Sequence, residues 1–234
     1  MYDSLHWSWL LVVSILFLSI HFMGVVHIQY NYFVKSLNSG DASKKEIALT
    51  FDDGPVASSN AILDILSQEG VPAAFFCIGK NIEHNKETLK RIDREGHIVG
   101  NHSYEHGFMF DWQSSKKMAA DINKANESIL ETIGKKPLLF RPPYGITNPN
   151  LARAIRATQM HSIGWSLRSY DTTTNNADKL LSRVVGNIKA GDVILLHDSM
   201  QVTAEILTEL ITSAKQKGFT FVRIDDLLGI KAYA

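Results

Sequence analysis

Apolar and polar positions fall into two regimes along this chain. Residues 7–28 form a stretch of 22 positions without a single Asp, Glu, Lys or Arg. At about 1.5 Å of helical rise per residue, that length crosses a hydrocarbon core of about 30 Å. From residue 46 onward, short apolar runs alternate with amphipathic segments. Strand-like runs occur at 47–51, 73–78, 97–100, 138–140, 160–165, 192–196 and 219–222, and helix-like segments near 58–69, 86–95, 114–133, 148–157, 177–189 and 202–217. Gly70, Gly134 and Gly218 stand where left-handed caps should end helices, and Asn148 before Pro149 reads as an N-cap and first helical position. Seven strands alternating with helices predict a parallel sheet, either doubly wound or closed into a barrel.

The placement of polar residues separates those two architectures. An Asp pair follows the first strand, His102 the third, Arg141 the fourth, Asp171 the fifth and His197 the sixth. Polar residues at the carboxyl ends of many strands predict a barrel whose loops gather over one mouth, whereas an open sheet concentrates them at one switch point. The pattern divides the chain into a membrane anchor over residues 1–34, a polar linker over 35–45 and one domain over 46–234. Trp7, Trp9, Tyr30 and Tyr32 flank the apolar stretch as interfacial aromatics do. A cleavable signal peptide is the competing reading. It is weakened by the absence of Lys or Arg before the stretch and by bulky residues where a cleavage site should lie. Asp3 before the stretch and Lys35, Lys44 and Lys45 after it would leave the domain on the cytoplasmic side, a weak signal because two of those lysines are remote.

Charge and cysteine content narrow the function. The chain carries 24 acidic and 24 basic residues, so no net field argues for nucleic acid or for a cationic partner. Its single cysteine, Cys77, lies in an apolar run and excludes a disulfide framework or a thiolate metal cluster.

The candidate chemistry begins with Thr50, Phe51, Asp52 and Asp53, followed by Gly54 and Pro55. Adjacent side chains on a strand diverge, but a strand end running into a Gly-Pro turn lets both carboxylates lean into one site. Two like charges held close call for a cation. His102 and His106, four apart, would project from one face of a helical turn and grip that ion. Two imidazoles and a carboxylate form the usual ligand set of a catalytic zinc, with one position left open. Arg141 opens a stiff Pro142, Pro143, Tyr144, Gly145 loop, and His197 ends a fully apolar strand.

Together these residues resemble the polysaccharide deacetylases of carbohydrate esterase family four, which carry the NodB homology domain. Five motifs appear in family order at 50–55, 102–106, 141–145, 165–171 and 195–197, and the resemblance covers residues 46–228. It implies an irregular (β/α)7 barrel of the NodB type, preceded here by one transmembrane helix. It further implies that Asp53, His102 and His106 hold one divalent metal, most often zinc. Asp52 would be the general base toward water, and His197 the general acid toward the leaving amine. Arg141 would orient Asp52, Asp171 would support charged His197, and the Tyr144 backbone N–H would help to stabilise the oxyanion. The fourth motif departs from the family pattern: Arg168 stands where an acid is often found, and Thr172 replaces a Trp. That departure puts the apolar wall of the substrate site in doubt.

The expected function is removal of N-acetyl groups from an amino-sugar polymer such as peptidoglycan or a chitin-like oligosaccharide. The expected form is a single-pass membrane protein and a monomer, its domain outside the cytoplasm because a wall polymer lies there. Alternatives are deacetylation or deformylation of a lipid-linked sugar, O-deacetylation of a polysaccharide, and a non-catalytic sugar-binding module on the same fold.

Overall fold

All seven apolar runs become strands in the computed structural model, which describes residues 7–234. In chain order the elements are α1 (Trp7–Val26), β1 (Ser36–Leu37), β2 (Glu46–Asp52), α2 (Ser59–Glu69), β3 (Ala73–Cys77), α3 (Gly79–Ile82) and α4 (Lys86–Arg94). There follow β4 (Ile98–Asn101), α5 (Ser115–Ile133), β5 (Leu139–Phe140), α6 (Pro149–Thr158), β6 (His161–Ile163) and β7 (Leu167–Arg168). The chain ends with α7 (Ala177–Asn187), β8 (Val193–His197), α8 (Gln201–Gln216), β9 (Thr220–Phe221) and α9 (Ile224–Leu228). The six expected helices are present, and the caps behave as their residue types dictate. Gly70 and Gly134 sit in the left-handed region, and the Asn148 side chain accepts from the Leu151 N–H.

Strand pairing is parallel throughout, in the order β1-β6-β5-β4-β3-β2-β8-β7, with β9 also on β2. The sheet curls into a half-barrel, and β1 and β7 stand at the two ends of the hydrogen-bonded path. The irregularity is therefore an open seam. Two short strands, β1 and β7, join the seven that the apolar pattern marks.

Side-chain alternation along the strands builds two layers of core. Ile47, Leu49 and Phe51 of β2 face the helices, packed with Phe75, Ile194 and the apolar stripes of α2, α4, α7 and α8. Ala48 faces inward, with Phe76, Ile98, Leu139, Ile163 and Leu195. Thr50 and Asp52, at the same parity as Ala48, share that inner face, which is how a carboxylate reaches the barrel interior.

The segment before residue 46 is not a free tether. Ser36 and Leu37 form β1 against β6, Ser39 bridges to Asp192, and the Gly40 N–H donates to Gly191 O at 2.8 Å. Upstream, Ile28 is only 1% exposed within the inner core and Val34 only 5%. The α1 helix is exposed over most of its length and is long and apolar enough to cross a membrane. Its last turn nevertheless docks on the domain. Thr147 donates from its N–H to Val25 O at 3.0 Å and from Oγ1 to Gly24 O at 3.1 Å. The linker expected over 35–45 is thus woven into the sheet, because its few apolar residues and backbone groups supply an edge strand. Residues 1–6 of the expected anchor, Asp3 among them, lie outside the described residues.

Candidate active site

Asp52 is the last residue of β2, flanked in register by Phe76 of β3 and His197 of β8. Asp53 follows at φ 76°, a left-handed conformation. That single reversal turns the second carboxylate back toward the first, where a continued strand would have sent it to the opposite face.

Asp52 is 3% exposed and is held by Arg141, which is fully buried. Arg141 Nη1 donates to Asp52 Oδ1 at 2.7 Å and to Thr50 Oγ1 at 2.8 Å. Its other nitrogens are fixed by Ile163 O at 3.3 Å and Gly164 O at 2.9 Å, and its guanidinium lies 4.1 Å from the Phe76 ring centroid. A guanidinium fork so constrained leaves Asp52 one orientation, with Oδ2 pointing 3.7 Å from His102 Nε2.

His102 and His106 converge by a different route from the expected helical turn. The chain after β4 is an irregular loop in which Ser103 (φ 65°) and His106 (φ 49°) are left-handed. Polar anchors hold it. Asn101 Oδ1 accepts from the Ser103 N–H at 2.7 Å, Ser103 Oγ accepts from the His106 N–H at 3.0 Å, and Asp121 of α5 accepts from the N–H groups of Tyr104 and Glu105. The two Nε2 atoms come within 3.1 Å of each other and lie 3.7 Å and 3.6 Å from Asp53 Oδ1.

These separations suit a small divalent cation. Tetrahedral ligands at about 2.0–2.1 Å from zinc stand roughly 3.3 Å apart. His102 Nδ1 donates to Arg141 O at 2.7 Å, which turns the Nε2 lone pair toward the site. Burial, with His106 adding to it, lowers the pKa of His102 to about 3, so the ring is neutral as a ligand must be. The donor set Asp53, His102 and His106 therefore fits a metal ion.

Opposite stands His197. Its Nδ1 donates to Asp171 Oδ1 at 2.8 Å, and its backbone N–H donates to Asp171 Oδ2 at 2.7 Å, an oxygen that Thr203 Oγ1 also reaches at 2.7 Å. Burial alone would push the imidazole pKa down. The hydrogen bond and charge of Asp171 outweigh it and hold His197 above its ordinary value. Burial likewise pushes Asp171 up, but His197 and Thr203 hold it below the usual carboxylate range.

A cavity of about 250 Å³ collects Asp52, Asp53, His102, His106, Tyr144 and His197, with Arg141 and Asp171 behind its wall. Tyr144 sits at φ 58°, its ring 4.9 Å from that of His106. Gly145, at φ 70°, lies directly under the Trp165 indole, where an added Cβ would collide with the ring. Trp165, Leu195 and Thr172 complete the wall, so an indole from a different position faces the cavity where Thr172 lacks one. Asn101, Asp121 and Thr203 support the site without standing out in the sequence. Thr50, which opens the first motif, joins them as a hydroxyl on the inner face of β2.

The profile of the polysaccharide deacetylase family matches residues 39–163. A peptidoglycan N-acetylglucosamine deacetylase of Listeria monocytogenes is 36% identical over 81% of this chain, which spans only 40% of that relative's length. A peptidoglycan N-acetylglucosamine deacetylase of Bacillus cereus is 33% identical, over 81% of this chain and 91% of its own. The crystal structure of a peptidoglycan N-acetylglucosamine deacetylase bound to a naphthalenyl N-oxidanyl-benzamide superposes with a TM-score of 0.80 at 33% identity, covering 84% of this chain and 94% of that one.

Proposed function

We propose, starting from the fact that this chain belongs to the polysaccharide deacetylase family, that it is a metal-dependent hydrolase removing N-acetyl groups from an amino-sugar polymer, peptidoglycan first among them. One observation carries the reading: a three-donor metal set, an Arg-clamped carboxylate and an Asp-supported imidazole face one cavity from different strand ends.

Asp53, His102 and His106 would hold the metal, taken as zinc. When bound, such an ion polarises the amide carbonyl and brings the pKa of water toward about 7. Asp52, fixed by Arg141, takes the proton from the attacking water. His197, kept charged by Asp171, gives a proton to the departing amine, and the two groups face each other across adjacent strands. The Tyr144 N–H, placed by its left-handed turn, donates toward the oxyanion. The α1 helix anchors the protein in a membrane as a single span, with the domain outside the cytoplasm, and the chain acts as a monomer.

Acetate release tests the reading. N-acetylated peptidoglycan fragments and a chitooligosaccharide should both yield acetate, chelator should stop the reaction, and added Zn²⁺ should restore it. An O-acetylated glycan and a lipid-linked amino sugar, run in parallel, rank the substrates. No acetate from any N-acetyl sugar with metal present would refute it.

A further inference from the structure

A second cavity, of about 570 Å³, opens beside the catalytic one and shares two residues with it, Trp165 and Arg168. It runs along β7, the sheet edge at the open seam, and its opposite wall comes from the end of α1 and the turn after it, where Gln29 Nε2 donates to Trp165 O at 3.1 Å. Three cations line it from three separate elements: Arg168 of β7, Arg183 of α7 and Lys189 of the loop before β8. Among the described residues none of the three has a salt-bridge partner, although eleven acid–base or His–acid contacts are made elsewhere. The acid in the lining, Asp192, is 6% exposed and already engaged, accepting from Ser166 Oγ at 2.7 Å and from the Lys189 N–H at 2.7 Å.

The cations are also positioned. Arg168 and Arg183 lie over the Tyr170 ring at 5.1 Å and 5.5 Å from its centroid, and Arg183 Nη1 donates to Ser169 O at 3.2 Å. Arg168 lies in addition 5.7 Å from the Trp165 centroid, at the passage between the two cavities. Guanidinium groups stacked on aromatic faces lose little freedom when a carboxylate arrives, and they can meet it with two parallel hydrogen bonds. Charge distributed along a trough suits an extended chain with acidic substituents better than a single compact anion.

We infer that this cleft is a subsite for carboxylate groups on sugars next to the one being deacetylated, so that the enzyme prefers an acidic glycan such as one containing muramic acid over a neutral one. The inference rests on the proposed deacetylase reading and adds the charge of the substrate to it. Arg168 guides the acidic neighbour at the passage, and Arg183 and Lys189 hold it further along.

The test compares one peptidoglycan tetrasaccharide with the same molecule after its carboxyl groups have been converted to amides. Binding to the full chain is measured by titration calorimetry and acetate release is measured separately. The wild type should bind the carboxylate form about tenfold more tightly at low salt, as expected for two or three partly exposed ion pairs, and the preference should shrink as salt screens them. Arg183→Gln combined with Lys189→Gln should abolish the preference, and Arg183→Lys, which keeps the charge, should retain most of it. Lys189 makes no side-chain hydrogen bond among those described, so Lys189→Gln alone tests the cleft without disturbing the fold. Equal binding of the two forms by the wild type, an unchanged preference in the double variant, or tighter binding of a sugar diphosphate would each overturn the inference. Preferential binding without acetate release would instead overturn the deacetylase reading and leave the cleft assigned.

Discussion

Removing residues 1–42 should damage the fold, although the apolar pattern alone places the domain at 46–234 and treats everything earlier as dispensable. A chain starting at Ser43 loses Ile28 from the inner core, Val34 from the cluster around Phe140 and Leu151, and β1 from the sheet. Burying one such aliphatic side chain is worth about 1.5–3 kcal/mol, so the two together contribute about 3–6 kcal/mol. The truncation also strips acceptors from the buried N–H groups of Thr147 and Gly164, which now donate to Val25 O at 3.0 Å and Leu37 O at 2.9 Å. Domains are typically stable by about 5–15 kcal/mol, so this loss is a large fraction of the whole. For a domain of this size about 2–4 °C accompanies each kcal/mol, which predicts a fall in melting temperature of roughly 6–24 °C.

The control is a chain starting at Phe22, which discards the exposed part of α1 and keeps Gly24, Val25 and everything downstream. Both truncated chains lack most of the apolar stretch, so solubility does not separate them. Melting followed by circular dichroism, without detergent, should give a stable control and a strongly destabilised or unfolded Ser43 chain. Equal melting temperatures within about 2 °C, inside the shift expected from one kcal/mol, would refute the reasoning and return the boundary to residue 46.

The residues that meet in the cavity were legible because they lie at strand ends, where an apolar run breaks into Asp52 and Asp53 or into His197. What the pattern missed was local geometry. A spacing of four suggested a helical turn for His102 and His106, but Asn101 and Asp121 hold an irregular loop with two left-handed residues, and no periodicity records such a loop. β1 and β7, two residues each, are too short to show alternation, and residues such as Ser36 and Asn38 look like any polar connector until β6 stands beside them. Trp165 was visible as part of an apolar run. Its place against Gly145 and on the passage between two cavities needed the fold.

His102→Ala should reduce metal content, measured by atomic absorption, from near one per chain to near zero, a larger loss than the roughly 10–100-fold expected from an outer-shell change. Asp52→Asn should lower kcat/KM by about 10²–10⁴-fold, the usual worth of a positioned base, and leave metal content intact. Burial raises the Asp198 carboxyl to about 7, so its ionisation in the unfolded chain, near 3.8, draws stability away as pH rises from about 4 to 7. Three units correspond to at most about 4 kcal/mol. Asp198→Asn should therefore flatten that decline in urea melts at different pH, and parallel wild-type and variant curves would refute it. Asp171→Asn bears on the proton donor. Asp171 holds the His197 pKa above its ordinary value against the downward push of burial, and the variant keeps an acceptor for Nδ1–H but loses the negative charge. Without that charge burial wins, so the imidazolium donates its proton at lower pH and the alkaline limb of the kcat/KM profile moves to lower pH. The acid limb, governed by Asp52 and its Arg141 clamp on the other side of the cavity, should stay where it is. A profile superimposable on wild type would show that Asp171 only places the ring, and the charge argument for His197 would fall with it.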